Sequence, residues 1–318
     1  MKSRKINDQS HSECLKLLKK LSSESKPNFS QISKNLNISR KTLNSWLNQL
    51  WEDKIINNYT ININPLYLKY VIMEIKTNPN EPKLMAALQS IPQLTVLDGI
   101  LGEYSLLTIF TFKDSREFKD TLDTIDKIMG ASYFKKYRII EPIKTYKING
   151  IQLSNYFNHQ DYELDKLDYL ILEILSRNQK KKLLSTYELK DILSNDHNIQ
   201  ISQSTIYNRI KNLEDNRVIL NYCINFCPLK VGFKGKYSLR MKPKDPSEYN
   251  NLALKLEQNE YITDLYRIGD GLFAIVRVPL IKDYNSFMAG LYSTYQIEDT
   301  FSTFILNEHI PYTNFKIY

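Results

Sequence analysis

The 318-residue chain contains little glycine and no long apolar run. Its nine glycines are too few to favour the glycine-rich loops that bind phosphate groups. No run of about 18 apolar residues occurs, so we expect no membrane span. Residues 1–5 are polar and lead into no apolar stretch, which argues against a secretory signal. Three cysteines fit a reducing compartment, and we expect a cytoplasmic protein.

Cysteine and histidine are also too dispersed to suggest a metal site. Cys223 and Cys227 lie four residues apart on one predicted strand, which separates them by about 13 Å. That separation is too large for a disulfide bond, and the spacing differs from that of a zinc-binding pair. The four histidines fall in four different predicted elements. The sequence therefore predicts neither a metal nor a cofactor.

Positive charge is present and unevenly distributed. The net charge is +8, and residues 1–160 hold 23 Lys+Arg against 15 Asp+Glu, whereas residues 161–318 hold 20 of each. Residues 1–64 carry 11 basic and 5 acidic residues, whereas residues 161–229 carry 9 and 10. A basic segment of this size favours binding to a polyanion through counterion release. A solvated lysine-rich surface would have the same composition.

One segment of the chain occurs twice. Residues 38–66 align without a gap with residues 201–229, and eleven of the 29 positions are identical. The two copies lie 163 positions apart, too far for a solenoid, whose repeats span roughly 20–50 residues. The alignment predicts a duplicated module.

The first copy is predicted to begin with three helices. Apolar residues at helical spacing indicate a helix over 11–21, a second from the N-cap Ser30, and a third capped by Ser39. Residues 55–61 then indicate a turn and a pair of strands, which would form a wing. Three helices with a short turn before the third indicate a helix-turn-helix.

The second half of the chain repeats this order, with helices over 167–175 and 186–193 and a third capped by Ser202. A βαββαβ pattern follows each set of helices, over 70–146 and over 233–309. This is the ferredoxin-like unit, an antiparallel sheet with two helices on one face. Since the other face needs cover, we expect the two sheets to pack face to face as an internal pseudo-dimer.

These patterns predict an α+β fold with two winged helix-turn-helix domains and two ferredoxin-like βαββαβ domains, arranged as an internal repeat. The predicted segments are helix-turn-helix domain 1 (1–64), βαββαβ domain 1 (65–147), a linker (148–162), helix-turn-helix domain 2 (163–229) and βαββαβ domain 2 (230–318).

The third helix of each copy carries a motif. The first copy reads Ser39-x-x-Thr42-Leu43-x-x-Trp46-Leu47-x-x-Leu50, and the second reads Ser202-x-x-Thr205-Ile206-x-x-Arg209-Ile210-x-x-Leu213. Both resemble the helix-turn-helix of the Lrp/AsnC (feast/famine) transcription regulators. The resemblance implies a sequence-specific DNA-binding regulator whose βαββαβ units are ligand-responsive RAM domains. It also implies double-stranded DNA, a small-molecule effector and a further homo-oligomer as partners.

The candidate DNA-binding residues lie at the start and on the outward face of each predicted recognition helix. Arg and Lys contact phosphates or guanine, and Asn pairs with adenine, although an ordinary polar helix face has the same composition. The candidates are Ser39, Arg40, Lys41, Thr42, Asn44, Ser45 and Asn48 in the first copy, and Ser202, Gln203, Ser204, Tyr207, Asn208 and Lys211 in the second. From the charges, we expect the first copy to make most phosphate contacts.

In the family, the turn between the second and third strands lies beside the effector site. The resemblance therefore makes Gly102, Glu103, Tyr104, Gly269 and Asp270 candidate effector-binding residues. The positions after these turns differ from the family pattern, since Ser105 and Leu272 stand where an acidic residue is common. We expect a weak response, or none, to free amino acids.

Two other functions fit parts of the pattern. The near-neutral second half fits a protein-interaction module with vestigial helix-turn-helix units. Siroheme decarboxylases are similar in architecture, but they place His and Arg against a tetrapyrrole on the sheet. No histidine falls within 94–112 or 262–280, although Arg267 and Arg277 lie there. We therefore predict no catalytic residue and a protein that is not an enzyme.

Overall fold

The computed structural model describes residues 8–23, 26–78, 81–154, 162–177, 179–294 and 297–318. The chain divides into two compact units. The first, the helical unit, comprises Met1–Asn64, Asn158–Val231 and Tyr312–Tyr318; the second, the sheet unit, comprises Pro65–Phe157 and Gly232–Pro311. Within the described ranges, no helix is long and apolar enough to cross a membrane.

The helices of the helical unit agree with the predicted positions to within a few residues, and those of the sheet unit lie within the two predicted βαββαβ segments. In chain order they are α1 (Asp8–Ser23), α2 (Phe29–Asn35), α3 (Arg40–Glu52), α4 (Pro82–Gln89), α5 (Ser115–Gly130), α6 (Lys166–Arg177), α7 (Thr186–His197), α8 (Gln203–Asp215), α9 (Tyr249–Leu256) and α10 (Ile281–Thr294).

The strands in chain order are β1 (Ile56–Ile63), β2 (Lys69–Lys76), β3 (Leu94–Ile100), β4 (Leu106–Phe112), β5 (Lys136–Ile140), β6 (Lys144–Ile148), β7 (Ile151–Gln152), β8 (Ile219–Phe226), β9 (Gly235–Pro243), β10 (Ile262–Ile268), β11 (Gly271–Val278) and β12 (Ile297–Glu308). The predicted linker over 148–162 begins within β6 and includes β7, and its residues 155–161 lie outside the described residues.

Side-chain caps define where several helices of the helical unit begin. Ser39 and Ser202 cap α3 and α8, as predicted, and Ser185 forms a capping box with Glu188 at α7. The predicted cap of α2 was wrong. Asn28, two residues before Ser30, accepts hydrogen bonds from the first-turn amides. The short Asn side chain can reach these amides because its own backbone is extended.

The predicted wings are absent from the described residues. Residues 56–63 form one strand without a hairpin partner of their own, because a 3-10 turn at Pro65–Tyr67 follows directly. Instead β1 pairs antiparallel with β8 in a two-stranded ribbon. The pairing satisfies backbone groups that a lone strand would leave open along one edge. The prediction of winged domains was therefore wrong, and the two three-helix groups share one ribbon.

The sheet unit contains one sheet where two were predicted. Its described strands pair in the order β5-β2-β4-β3-β12-β9-β11-β10-β6-β7, and the pairing of β3 with β12 joins the halves. The βαββαβ pattern over 70–146 predicts one last strand at its end, but this strand is interrupted after Ile140. Pro142 lies in this gap and has no amide hydrogen for a ladder. The two parts pair with different strands, β5 with β2 and β6 with β10.

Helices cover one face of this sheet, and the other face turns inward. Leu84 of α4 and Phe118 of α5 belong to the core on β2–β4, whereas Leu252 of α9 belongs to that on β9–β11. On the opposite face, the rings of Tyr70 in β2 and Tyr266 in β10 lie 6.2 Å apart. Since these strands are not neighbours in the sheet, its helix-free face folds back upon itself.

Candidate functional site

Helix α3 separates an apolar face from a polar one. The Ser39 Oγ accepts a hydrogen bond from the Thr42 amide at 3.0 Å, which fixes the start of the helix. Leu43 and Leu50 are buried at 0% and 1% exposure. Thr42 is partly exposed, and the other candidate residues on the helix are exposed: Arg40, Lys41, Asn44, Ser45 and Asn48.

Helix α8 has the same construction. The Ser202 Oγ accepts from the Thr205 amide at 3.1 Å, and Ile206 and Leu213 are both buried. Exposed on the helix are Gln203, Ser204, Tyr207, Asn208 and Lys211. The structure therefore gathers the second set of candidates on one surface. Tyr207 is an aromatic residue of this face and is 58% exposed.

Arg209 is not part of the exposed face of α8. Its Nη1 lies 2.7 Å from Asp165 Oδ2 and 2.8 Å from Asp168 Oδ1, and Asp168 is only 2% exposed. In the sequence, Arg209 is the basic residue within the motif of the second copy. The structure assigns it to the packing of α8 against the start of α6, because the buried carboxylate requires a cation.

The ribbon places the two three-helix groups in one framework. Thr60 pairs with Cys223, and the Asn62 Nδ2 donates to Asn221 Oδ1 at 2.8 Å. Helix α6 of the second three-helix group contacts β1 of the first group. The Thr60 hydroxyl in β1 donates to the carbonyl of Ser176, the residue before Arg177 at the end of α6. Helices α3 and α8 are therefore positioned by a common set of buried contacts.

A run of three lysines, Lys180 to Lys182, precedes α7 and is also tied to this framework. The Tyr59 amide donates to the Lys180 carbonyl at 3.1 Å, and the Lys182 ammonium lies 2.6 Å from Glu188. The Lys182 side chain remains 74% exposed. The pair with Lys182 and the capping hydrogen bonds of Ser185 lower the pKa of Glu188 to about 2. Part of the positive charge of this run is therefore neutralised locally.

The candidate effector residues lie in two turns of the sheet unit. At the first, Glu103 pairs with Lys136 at 2.6 Å, and the Tyr104 ring lies 5.5 Å from the Lys136 ammonium. At the second, the Tyr249 hydroxyl donates to the Asp270 carbonyl at 3.3 Å, and Arg267 donates to the carbonyl that follows Asp270 at 2.8 Å. Neighbouring side chains thus bind polar groups of both turns. The first turn joins β3 to β4, and the second joins β10 to β11.

Gly102 and Gly269 complete these two turns. Gly102 has a φ of +141°, which favours glycine, whereas the φ of Gly269 lies outside the left-handed region. After the first turn, the Ser105 hydroxyl donates to the Thr77 carbonyl at 3.0 Å, and after the second, Leu272 is completely buried. Neither residue presents a charged group to a ligand.

Sequence reasoning missed an ionic network inside the sheet unit. The Lys236 ammonium lies 2.6 Å from Asp98 and 3.1 Å from Glu308, and Arg277 lies 2.6 Å from Glu308. Burial raises the pKa of Asp98, although Lys236 opposes the change. Burial also acts to raise the pKa of Glu308, but Arg277 and Lys236 overcome it and lower that pKa to about 2. The four residues of this network lie far apart along the chain, so no local sequence motif revealed it.

A second internal ion pair joins strands that are not neighbours in the sheet. The Arg240 Nη2 lies 2.7 Å from Glu74 Oε1, and the Arg138 Nε donates to the other oxygen of Glu74 at 2.8 Å. Glu74 is 6% exposed, so two arginines compensate one buried carboxylate. The contact connects β2 with β9 and so contributes to the folding of the sheet upon itself.

One histidine lies beside the sheet, outside the two segments that the sequence pointed to. The His309 amide donates to the Leu97 carbonyl at 2.8 Å, and its Nε2 lies 3.1 Å from Asn307 Nδ2. A Cβ atom at Gly99 would lie 1.9 Å from Asn307 Oδ1, so glycine allows this close approach. The histidine reaches β3 from the end of β12, which its sequence position did not reveal. Among described residues, no cluster of three metal-binding side chains occurs.

Comparison with known proteins points to regulators over part of the chain. The chain is 28% identical over 123 residues to the HTH-type transcriptional regulator Ptr1 of Methanocaldococcus jannaschii, covering 39% of this chain and 76% of that protein. It is 26% identical over 133 residues to LrpA of Pyrococcus horikoshii, covering 40% and 94%. Regulators of the Lrp/AsnC type thus match at modest identity over about 40% of the chain. No family model matches.

Comparison of structures finds an enzyme with a similar fold over nearly the whole chain. Two crystal structures of the siroheme decarboxylase NirDL, one of them with an iron-uroporphyrin III analogue, have TM-scores of 0.58 and 0.59 at 10% identity. They cover 94% and 97% of this chain. The prediction that the protein is not an enzyme is therefore wrong, because an enzyme has this fold. The fold is mixed α+β, with helix-turn-helix and RAM-type parts.

Proposed function

We propose that this protein is a sequence-specific DNA-binding transcription regulator that uses α3 and α8 as recognition helices. The observation that carries the proposal is the exposed polar face of each helix, which begins at a serine cap and projects from one shared ribbon. Such a face can enter the major groove, where Arg, Lys, Gln and Asn recognise base edges. The regulators that match over part of the chain support this assignment.

The arrangement of the chain supports a finer proposal, a tandem duplication in which the two halves form an internal pseudo-dimer. The eleven identities between residues 38–66 and 201–229, and the pairing of β1 with β8, both support it. In this proposal the sheet unit holds the halves together. Its turns at Glu103 and Asp270 are candidate sites for a small effector other than a free amino acid.

Selection of duplexes from a random library, followed by affinity measurement, tests the DNA-binding function. Replacing Asn44 by alanine should reduce preference for the selected duplex over a random one by about 5-fold to 100-fold, because one base contact carries roughly 1–3 kcal/mol. The change Gln49→Ala, on an exposed position of the same helix, is the matched control. Failure to enrich any duplex would contradict the proposal and favour the protein-interaction module.

A second candidate function is the binding and decarboxylation of a siroheme-like tetrapyrrole. It is favoured by the fold shared with NirDL and by the position of His309 beside β3. Titration with siroheme, followed by absorbance and by release of carbon dioxide, tests it. Saturable binding that is lost in His309→Ala and kept in His197→Ala would support the enzyme. No saturable change in absorbance would contradict it.

A further inference from the structure

We infer that the DNA bound by this protein is a non-palindromic duplex, composed of two unlike half-sites arranged as an inverted pair. The inference rests on the proposed DNA-binding function and specifies its substrate. It follows from two observations on the helical unit, the register of the ribbon and the difference between the two exposed helix faces. Neither observation alone is sufficient. The register sets the relative orientation of the two half-sites, and the helix faces set which bases each half-site contains.

The ribbon pairs positions that correspond in the sequence repeat. Thr60 and Cys223, which are 163 positions apart, face each other, and Tyr59 faces Ile224 while Ile61 faces Tyr222. Tyr59 thus meets the counterpart of Ile61, and Ile61 meets the counterpart of Tyr59, so the pairing is reciprocal about Thr60 and Cys223. This is the pattern of an isologous interface, in which the two sides are related by a two-fold axis.

A two-fold relation has a direct consequence for the recognition helices. In dimeric helix-turn-helix proteins it presents the two helices to half-sites that run in opposite directions, about one helical turn apart or a multiple of it. Both helices here follow serine caps at corresponding positions, Ser39 and Ser202. The shared ribbon therefore sets an inverted arrangement of half-sites.

The faces presented in this arrangement differ at every outward candidate position. The corresponding pairs are Arg40 and Gln203, Lys41 and Ser204, Asn44 and Tyr207, Ser45 and Asn208, and Asn48 and Lys211. Arginine favours guanine and glutamine favours adenine, while the Tyr207 ring offers apolar contact with a thymine methyl group. A homodimer would present two identical faces, whereas this chain always presents one of each. The two half-sites should therefore run in opposite directions, but their base sequences should differ.

A swap of helix faces tests the inference in the full chain. The change set Gln203→Arg, Ser204→Lys, Tyr207→Asn, Asn208→Ser and Lys211→Asn gives α8 the outward residues of α3. All five positions are exposed, so the urea unfolding midpoint should stay close to that of the parent. Parent and variant are each used to select duplexes from a random library.

The parent should enrich two unlike half-sites in inverted arrangement. Replacing either half-site by a copy of the other should weaken binding by about tenfold or more, since each mismatched base pair carries a measurable loss. The face-swapped variant should instead prefer a palindrome of the half-site read by α3. A parent that selects a palindrome, or one half-site alone, would overturn the inference while leaving DNA binding intact. A parent that selects no duplex would overturn both.

Discussion

Arg209 and Asp168 form an ion pair in which the Nη1 and Oδ1 atoms lie 2.8 Å apart. The pair joins α8, a proposed recognition helix, to the first turn of α6. Asp168 is almost completely buried, and its carboxylate needs the guanidinium to offset its desolvation. Arg209, the basic residue within the motif of the second copy, thus contributes to the orientation of the helix.

Replacing Arg209 by alanine should therefore lower stability. The free energy of unfolding should fall by roughly 1–3 kcal/mol, because Asp168 loses a partner in a buried setting. Urea denaturation of Lys211→Ala, a change on the exposed face of the same helix, provides the control and should differ from the parent by less than about 0.5 kcal/mol. Equal stability of the two variants would contradict this role for Arg209.

Two substitutions of Ser39, the cap of α3, should affect stability and DNA affinity separately. Ser39→Ala removes the acceptor for the Thr42 amide and should lower the free energy of unfolding by about 1 kcal/mol. Ser39→Asp should retain the cap, because aspartate is an equally good N-cap residue, but it should weaken DNA binding by repelling phosphate. Thermal unfolding and DNA titration of both variants test the two effects separately. Full DNA affinity in Ser39→Asp would place the start of α3 away from the backbone of DNA.

The ionic network makes stability depend on pH in acid. The pKa of Glu308 falls from 4.5 to about 2 because Arg277 and Lys236 outweigh its burial. The folded state therefore holds its proton less tightly than the unfolded chain, and this contribution is complete above pH 4.5. It should be lost as pH decreases from 4.5 toward 2. Burial of Asp98, whose pKa is raised, acts in the opposite direction.

Urea denaturation at a series of pH values measures this dependence. Glu308→Gln should flatten the decline in stability below pH 4.5, because the titrating carboxyl group is gone. Glu298→Gln on the same strand, at an exposed position, is the control and should retain the decline of the parent. An unchanged decline in Glu308→Gln would show that other carboxyl groups dominate.

Local signals in the sequence predicted the elements well, whereas pairings between distant strands required the structure. Capped, amphipathic helices such as α3 are specified by residues within a few turns, and Ser39 and Leu43 sufficed to place it. The partner of β1 could not be inferred, because β8 lies more than 150 positions away and the expected hairpin was an equally good local solution. The ionic network around Lys236 likewise joins three strands that the sequence keeps apart.

Free amino acids should not act as effectors. The candidate effector turns are followed by Ser105, whose hydroxyl donates to the Thr77 carbonyl, and by the buried Leu272, so neither position offers an acid to an amino group. Isothermal titration calorimetry of the full chain with each of the twenty amino acids measures this. Micromolar affinity for any of them would refute the prediction, and the affected turn could then be located with Tyr104→Ala and Tyr249→Ala.

The most direct test of the account is the salt dependence of DNA binding. On one selected duplex, replacing Arg40 and Lys41 by alanine should weaken binding and reduce the slope of log affinity against log salt by up to about 2, since each phosphate contact contributes about 0.9. Replacing Gln203 and Ser204 by alanine should leave the slope unchanged. The double change Lys83→Ala and Lys119→Ala, which removes two exposed positive charges from the sheet unit, is the control and should also leave it unchanged. Equal slopes for the parent and the Arg40 and Lys41 variant, or no binding by the parent, would contradict the account.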